Sequence, residues 1–358
     1  MPDRGKSRCT EDTIPVDAFM FRSPPYARIA LVALVAAVAA GTLATTSRLP
    51  IAPSGVAAAT RPPAPDAQAQ WFDMHVASAD VSFWAPSTMP LGAPTFRGRA
   101  GILVDMDTGE ILWEKQPDVG LAPASLTKVL TALVALENFS PSQEVTVTAD
   151  ALGQSPADTL MGLKTGETLT VEELLDGMLL PSGDDAASAI AVDTVGEARF
   201  VAAMNAQVAA LGLAESHFSA TAGLDDPALY SSAHDLAVIA AYTYQQFPLF
   251  DQIVDTRTIT LPATVLHPAF HLHNLDALLQ AYPAAVGIKP GWTGNAGACL
   301  IGMAVRDGHH LLAVLLSANY PARLESRLFD WGFQLDGLPP LLPPLLPPTP
   351  APRPAPAA

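Results

Sequence analysis

One stretch limits the fold more than any other: Ala124 to Glu137, ASLTKVLTALVALE, is apolar on nearly every side. A surface helix keeps a polar face, so a helix apolar all round belongs at the centre of a domain with other elements packed about it. The chain has the material for that. Its 358 residues and 49% hydrophobic content suffice for a full core and exclude disorder of the whole.

Strand-like runs stand at both ends of the region around this helix. GILVDMDTGEILWEK, starting at Gly101, reads as two strands joined by a turn at Asp107-Thr108-Gly109. Further helices are expected at Val171 to Leu180, Asp185 to Val195, Ala198 to Leu211 and Ser232 to Tyr244. Strands are expected at Ala284 to Trp292, Ala298 to Arg306 and His310 to Ser317, the last two joined by Asp307-Gly308. Terminal strands flanking a helical middle predict an α/β (α+β) sandwich in which first and last strands share one sheet. No internal repeat is visible.

Outside this region the composition changes. Ile29 to Thr46, IALVALVAAVAAGTLATT, carries no charge and as a helix would span about 27 Å, near the hydrocarbon thickness of a bilayer. It exceeds the apolar core of most cleaved signals, so a retained transmembrane anchor or uncleaved signal is expected. Arg4, Lys6, Arg8, Arg22 and Arg28 precede it, which orients residues 1–28 to the cytoplasm and everything after it outside. The expected location is the cell membrane, single-pass, with the folded part extracytoplasmic. Residues 47–95 read as a Pro/Ala-rich linker whose aromatics Trp71, Phe72, Phe83 and Trp84 pack onto the adjoining domain, residues 96–336 as that folded domain, and residues 337–358 as a proline-rich disordered tail. A balance of 19 Lys+Arg against 35 Asp+Glu, net −16, repels phosphates and excludes nucleic acid as a partner. Cys9 and Cys299 lie on opposite sides of the apolar segment and form no disulfide framework.

Ser125 and Lys128 stand three apart at the start of the central helix, on one face and within hydrogen-bond reach. That places a hydroxyl nucleophile beside an amine base. A lysine ordinarily titrates near 10.4, so acting as base at neutral pH requires burial or a second cation, and Lys289 is available. Of the five lysines only Lys128 has a serine three positions before it. Serine opening a helix is also an ordinary N-cap, and Ser182 with Asp185 in PSGDD fits a capping box. Lys289, Gly291 and Thr293 share one side of a predicted strand, and a glycine there lets an extended peptide approach.

Taken together and in this order, ASLTK, PSGDDAA and KPGWT resemble the three active-site motifs of the serine-type D-alanyl-D-alanine carboxypeptidases, the low-molecular-weight penicillin-binding proteins. The similarity runs from about Gly101 to Ser317 and includes MGLKTGETLTVEELLDGMLLPSGDDAASAIA and GLDDPALYSSAHDLAVIA. The resemblance implies a β-lactamase-like sandwich of an antiparallel sheet with a helical subdomain, and removal of the terminal D-Ala from peptidoglycan stem peptides without cofactor or metal. Ser125 would attack the carbonyl, Lys128 take its proton, Ser182 relay a proton to the leaving amine, and Lys289 hold the terminal carboxylate and tune Lys128. Asp184, Gly291, Trp292 and Thr293 would line the substrate site, with the backbone N–H groups of Ser125 and Trp292 as oxyanion hole. β-Lactams would acylate the same serine.

Two positions depart from that pattern. Asp184 stands where the family has an asparagine and, ionised, only accepts hydrogen bonds. Pro290 stands where a hydroxyl residue contacts the substrate carboxylate. These motivate the alternative of a catalytically weak homologue that binds wall peptides or β-lactams. Lys164-Thr165-Gly166 spells the third motif but precedes the second, so the role goes to Lys289. Glu197, the nearest glutamate for a β-lactamase-type deacylating water, lacks that family's context. His267, His271 and His273 have spacing usable by a metal, and a metallopeptidase is the third, least favoured reading.

Overall fold

The structure is a computed structural model that describes residues 81–85, 88–153 and 159–343. The apolar 29–46 segment lies outside these, as do residues 1–28, Trp71 and Phe72. Among the described residues no helix is long and apolar enough to cross a membrane.

Five antiparallel strands form the main sheet. β1 (Ala100–Asp105) and β2 (Ile111–Lys115) make the N-terminal hairpin, and β7 (Ala285–Thr293), β8 (Gly297–Arg306) and β9 (His309–Leu316) form the C-terminal meander. The order is β2-β1-β9-β8-β7, with Ile102 opposite Val314 where the two ends of the chain join. The expectation that first and last strands share a sheet is met, and so is the Asp307-Gly308 hairpin, whose residues both take positive φ. β7 is left at an edge.

Between β2 and β7 run α1 (Thr127–Asn138), β3 (Glu144–Thr146), β4 (Thr168–Thr170), α2 (Val171–Leu179), α3 (Asp184–Val192), α4 (Glu197–Ala210), α5 (Ala233–Gln246), α6 (Pro248–Asp255), β5 (Thr258–Leu261), β6 (Phe270–His273) and α7 (Leu278–Ala281). The last helix, α8 (Pro321–Leu335), follows β9. Every residue of α1 from Thr127 to Ala135 is buried, as the all-round apolar pattern requires. α1 packs on α2, α3, α4 and α5, and α5 lies on β1 and β9. α8 packs on β8 and β9, with Phe329 and Phe333 wholly buried. Helices therefore cover both faces of the sheet.

The segment before β1 docks as its aromatics suggested: Trp84 exchanges backbone hydrogen bonds with Gly109 and Ile111, and Phe83 meets the His234 ring edge-on. After α8, Arg306 donates to the Pro339 carbonyl, and Leu341 and Leu342 donate to the Asp330 carboxylate. The first residues of the proline-rich tail thus lie against the domain. β3, β4, β5, β6, α6, α7 and α8 add to what the sequence suggested.

Candidate active site

A turn of 3-10 helix, Ala124–Leu126, delivers the chain into α1 and presents Ser125, half-buried, ahead of it. Ser125 is not an N-cap: no side chain caps either this turn or α1. The capping reading fails here because Ser125 lies inside the 3-10 turn, between the two N-cap positions Pro123 and Leu126. Two glycines hold the turn in place. Gly223 has φ +90°, and a Cβ there would lie 1.9 Å from the Ala124 carbonyl oxygen. Gly291 on β7 lies so close that a Cβ would stand 3.0 Å from the Ser125 backbone nitrogen.

Lys128 has no exposed surface. Its Nζ lies 3.0 Å from Ser125 Oγ, 2.5 Å from Asp184 Oδ1 and 2.8 Å from the Ala222 carbonyl. As an ammonium it donates to all three. As a neutral amine it keeps two donors for Asp184 and Ala222 and turns a lone pair to the Ser125 hydroxyl, the arrangement a general base needs. Burial and the nearby Lys289 charge favour the neutral form, whereas the Asp184 carboxylate favours the ammonium.

The second motif turns between α2 and α3. Ser182, 5% exposed, sits at φ 63°, a conformation a serine seldom takes and that surrounding structure must enforce. The predicted capping box of Ser182 with Asp185 is not formed: Gly183 is the N-cap, with no side-chain cap. Asp185 instead accepts from the backbone N–H groups of Met161, Gly162 and Leu163, and so fastens the 159–163 strand of chain over the motif. Asp184, at the first position of α3, donates its own N–H to Thr159 and reaches back to Lys128. The box at α2 is real: Thr170 and Glu173 cap each other.

β7 brings the third motif alongside. Lys289 is wholly buried, its Nζ 3.2 Å from the Pro290 carbonyl. Burial first, then the charge of Lys128, push it down to about 7, against the pull of Asp276 and Asp184. Gly291 faces Ser125, Trp292 stands out 71% exposed, and the Thr293 hydroxyl accepts from Ala296 N–H. β7 is an edge strand of the main sheet, the kind of edge an extended ligand can pair with. Lys164 sits exposed between the 159–163 segment and β4.

The remaining candidates stay apart. His267 faces Glu173 at 3.4 Å and His271 faces Thr260. Among the described residues no group of three or more His, Cys, Asp or Glu side chains is placed to hold a metal ion. Sequence reasoning missed the Ala222 carbonyl, the fastening role of Asp185 and two buried acids behind β7, Asp276 and Glu325. A carbonyl has no sequence signature, and the acids look like solvated charges.

A profile of the D-alanyl-D-alanine carboxypeptidase family matches residues 88–320. The D-alanyl-D-alanine carboxypeptidase DacB2 of Mycobacterium tuberculosis is 35% identical over 266 residues, 72% of this chain and 89% of that protein. DacA of Escherichia coli, which bears the same description, is 32% identical over 261 residues, 69% of this chain and 63% of that one. The Streptomyces K15 DD-transpeptidase superposes with a TM-score of 0.64 at 29% identity, covering 68% of this chain and all of that one. A penicillin-binding protein homologue from Mycobacterium tuberculosis gives 0.64 at 33% identity, covering 71% and 99%.

Proposed function

This chain belongs to the D-alanyl-D-alanine carboxypeptidase family, and from that premise we propose that it is a serine D-Ala-D-Ala carboxypeptidase that trims peptidoglycan stem peptides. The observation that carries the reading is Lys128 Nζ, buried and 3.0 Å from Ser125 Oγ at the mouth of a central helix. Neutral Lys128 takes the hydroxyl proton as Ser125 Oγ attacks the penultimate carbonyl. The tetrahedral oxyanion is held by the Ser125 and Trp292 N–H groups. Ser182 passes a proton to the departing D-alanine, whose carboxylate lies in the field of Lys289. Water then cleaves the acyl-enzyme, Lys128 again serving as base. A β-lactam enters by the same attack and carries its leaving group with it in the ring.

In the same reading the apolar 29–46 segment holds the protein at the membrane with its catalytic domain outside, where the wall peptides are. Alkaline extraction of membranes tests this: the chain should stay with the bilayer, and release into the wash would overturn anchoring.

The decisive experiment is release of D-alanine by the full chain from a peptide ending D-Ala-D-Ala, alongside labelling with a fluorescent penicillin. Release and a mass increase at Ser125 are expected, and Ser125→Ala should lose both. Peptide binding without label or turnover would establish a binding homologue instead.

A further inference from the structure

Two carboxylic acids are buried on the Pro290 side of β7. Asp276, 1% exposed, lines a pocket of about 340 Å³ with Leu275, Pro290, Leu300, Tyr320 and Arg323. Its Oδ1 accepts from Leu278 N–H, and its Oδ2 has no hydrogen-bond partner. Glu325 of α8, wholly buried, has neither oxygen bonded and presses on β8, where a Cβ at Gly302 would meet its Oε2. The loop carrying Asp276 is pinned to the second motif, because Leu275 N–H donates to the Leu180 carbonyl 3.0 Å away. Asp276 is thus wedged between the turn that bears Ser182 and the strand that bears Lys289. No step of the carboxypeptidase reaction uses it directly.

We propose that Asp276 is a positioning residue for this reaction: its carboxylate is the back-side counter-charge that keeps Lys289 an ammonium and so helps keep Lys128 free to act as base. The inference rests on the carboxypeptidase reading. Lys289 lies in the field of Lys128 from α1, Asp184 from α3 and Asp276 before α7. On β8, the Cys299 thiol is buried and pushed up to about 11, so it stays neutral. Arg323 lines the pocket beyond Pro290. Burial lifts Asp276 to about 6 while the Leu278 N–H and Lys289 pull it down, so near neutrality it is charged. Burial first, then the charge of Asp276, raise Glu325 well above its ordinary value, which favours its neutral form. Asp276 therefore carries the charge of the pair. A buried carboxylate in the field of a buried ammonium stabilises that ammonium, whose charge in turn disfavours a second one on Lys128.

Asp276→Asn keeps an acceptor for Leu278 N–H and removes only the charge. The test is the pH profile of kcat/KM for D-alanine release from about pH 5 to about pH 10, measured on the full chain, Asp276→Asn and Glu325→Gln. Asp276→Asn should move the alkaline limb down by about one pH unit and raise the acid limb, narrowing the bell. Glu325→Gln, which replaces a neutral acid with a neutral amide, should leave both limbs in place. A uniform drop with unmoved limbs in Asp276→Asn would show a merely structural role and overturn the proposal. A limb shift in Glu325→Gln of equal size would overturn it by giving the charge to Glu325. Wild-type release in the same assay separates either failure from failure of the carboxypeptidase reading.

Discussion

Lys128 faces a conflict that its surroundings settle only in part. Its Nζ sits 2.5 Å from the Asp184 carboxylate, with both side chains out of solvent. A buried ion pair this close favours the ammonium, and an ammonium has no lone pair for Ser125. Lys289 and burial act the other way. Asp184→Asn keeps an acceptor for a Lys128 N–H and removes the charge, so the base should become neutral at lower pH. The acid limb of kcat/KM is expected to move down by roughly one pH unit or more, read from D-alanine release against pH. An unmoved limb would show that Asp184 does not control the base. The departure from the family's asparagine was legible in the letters PSGDD, but its partner was not: 56 residues separate Lys128 from Asp184, and no local pattern links them. Ser182 and Asp185 were misleading for a related reason. Their spacing spells a capping box, yet Ser182 is bent to positive φ and the Asp185 carboxylate is drawn to three backbone N–H groups from another segment.

At the level of elements, the site is a junction of three: the 3-10 turn before α1, the turn before α3, and β7. The contact between β7 and the 3-10 turn is set by Gly291. A methyl group there would lie 3.0 Å from Ser125 N and 3.1 Å from Ala124 Cβ, closer than neighbours normally allow. Gly291→Ala should push β7 outward by a few tenths of an ångström and spoil the alignment of the Ser125 and Trp292 N–H groups, with little effect on the core. Penicillin acylation is expected to slow by roughly tenfold to a hundredfold while the melting temperature stays near wild type; equal loss of both would mean that the residue serves folding alone. The strands of the main sheet and helices α1 to α5 were readable because each is long enough to show its period or is bounded by a turn such as Asp307-Gly308. β3 and β4 were not: each has three residues, and they pair across a 22-residue separation, Thr146 with Thr168. α8 was hidden by its charges. Arg323, Glu325, Arg327 and Asp330 look like a solvated stretch, yet Glu325 and Asp330 are buried, the latter taking hydrogen bonds from Tyr282, Leu341 and Leu342.

Across the whole molecule the buried acids make stability depend on pH in a definite direction. Glu137 at the end of α1 and Asp176 on α2 are both raised to about 7, chiefly by burial; for Asp176 the charges of Glu172 and Glu173 add to it. In the unfolded chain such groups titrate near 4. Below about pH 4 they are protonated in both states and the folded chain loses nothing by holding them. Between about 4 and about 7 the unfolded chain ionises first, so stability falls as pH rises, and above about 7 the loss is complete. Lys289 does not oppose this, since it is charged in both states below about 7 and acts only above it. Asp226, lowered by the Ala228 N–H and Ser219, works in the other direction, but it is a surface group and its effect lies at lower pH. The net charge of −16 also relaxes on acidification, so a higher urea midpoint at about pH 5 than at about pH 7 would not by itself identify the acids. Glu137→Gln with Asp176→Asn separates the two causes: it removes both titrations and only two of the many negative charges. The double variant should show a distinctly flatter dependence of the urea midpoint on pH across this window, and a slope unchanged from wild type would show that Glu137 and Asp176 do not set it.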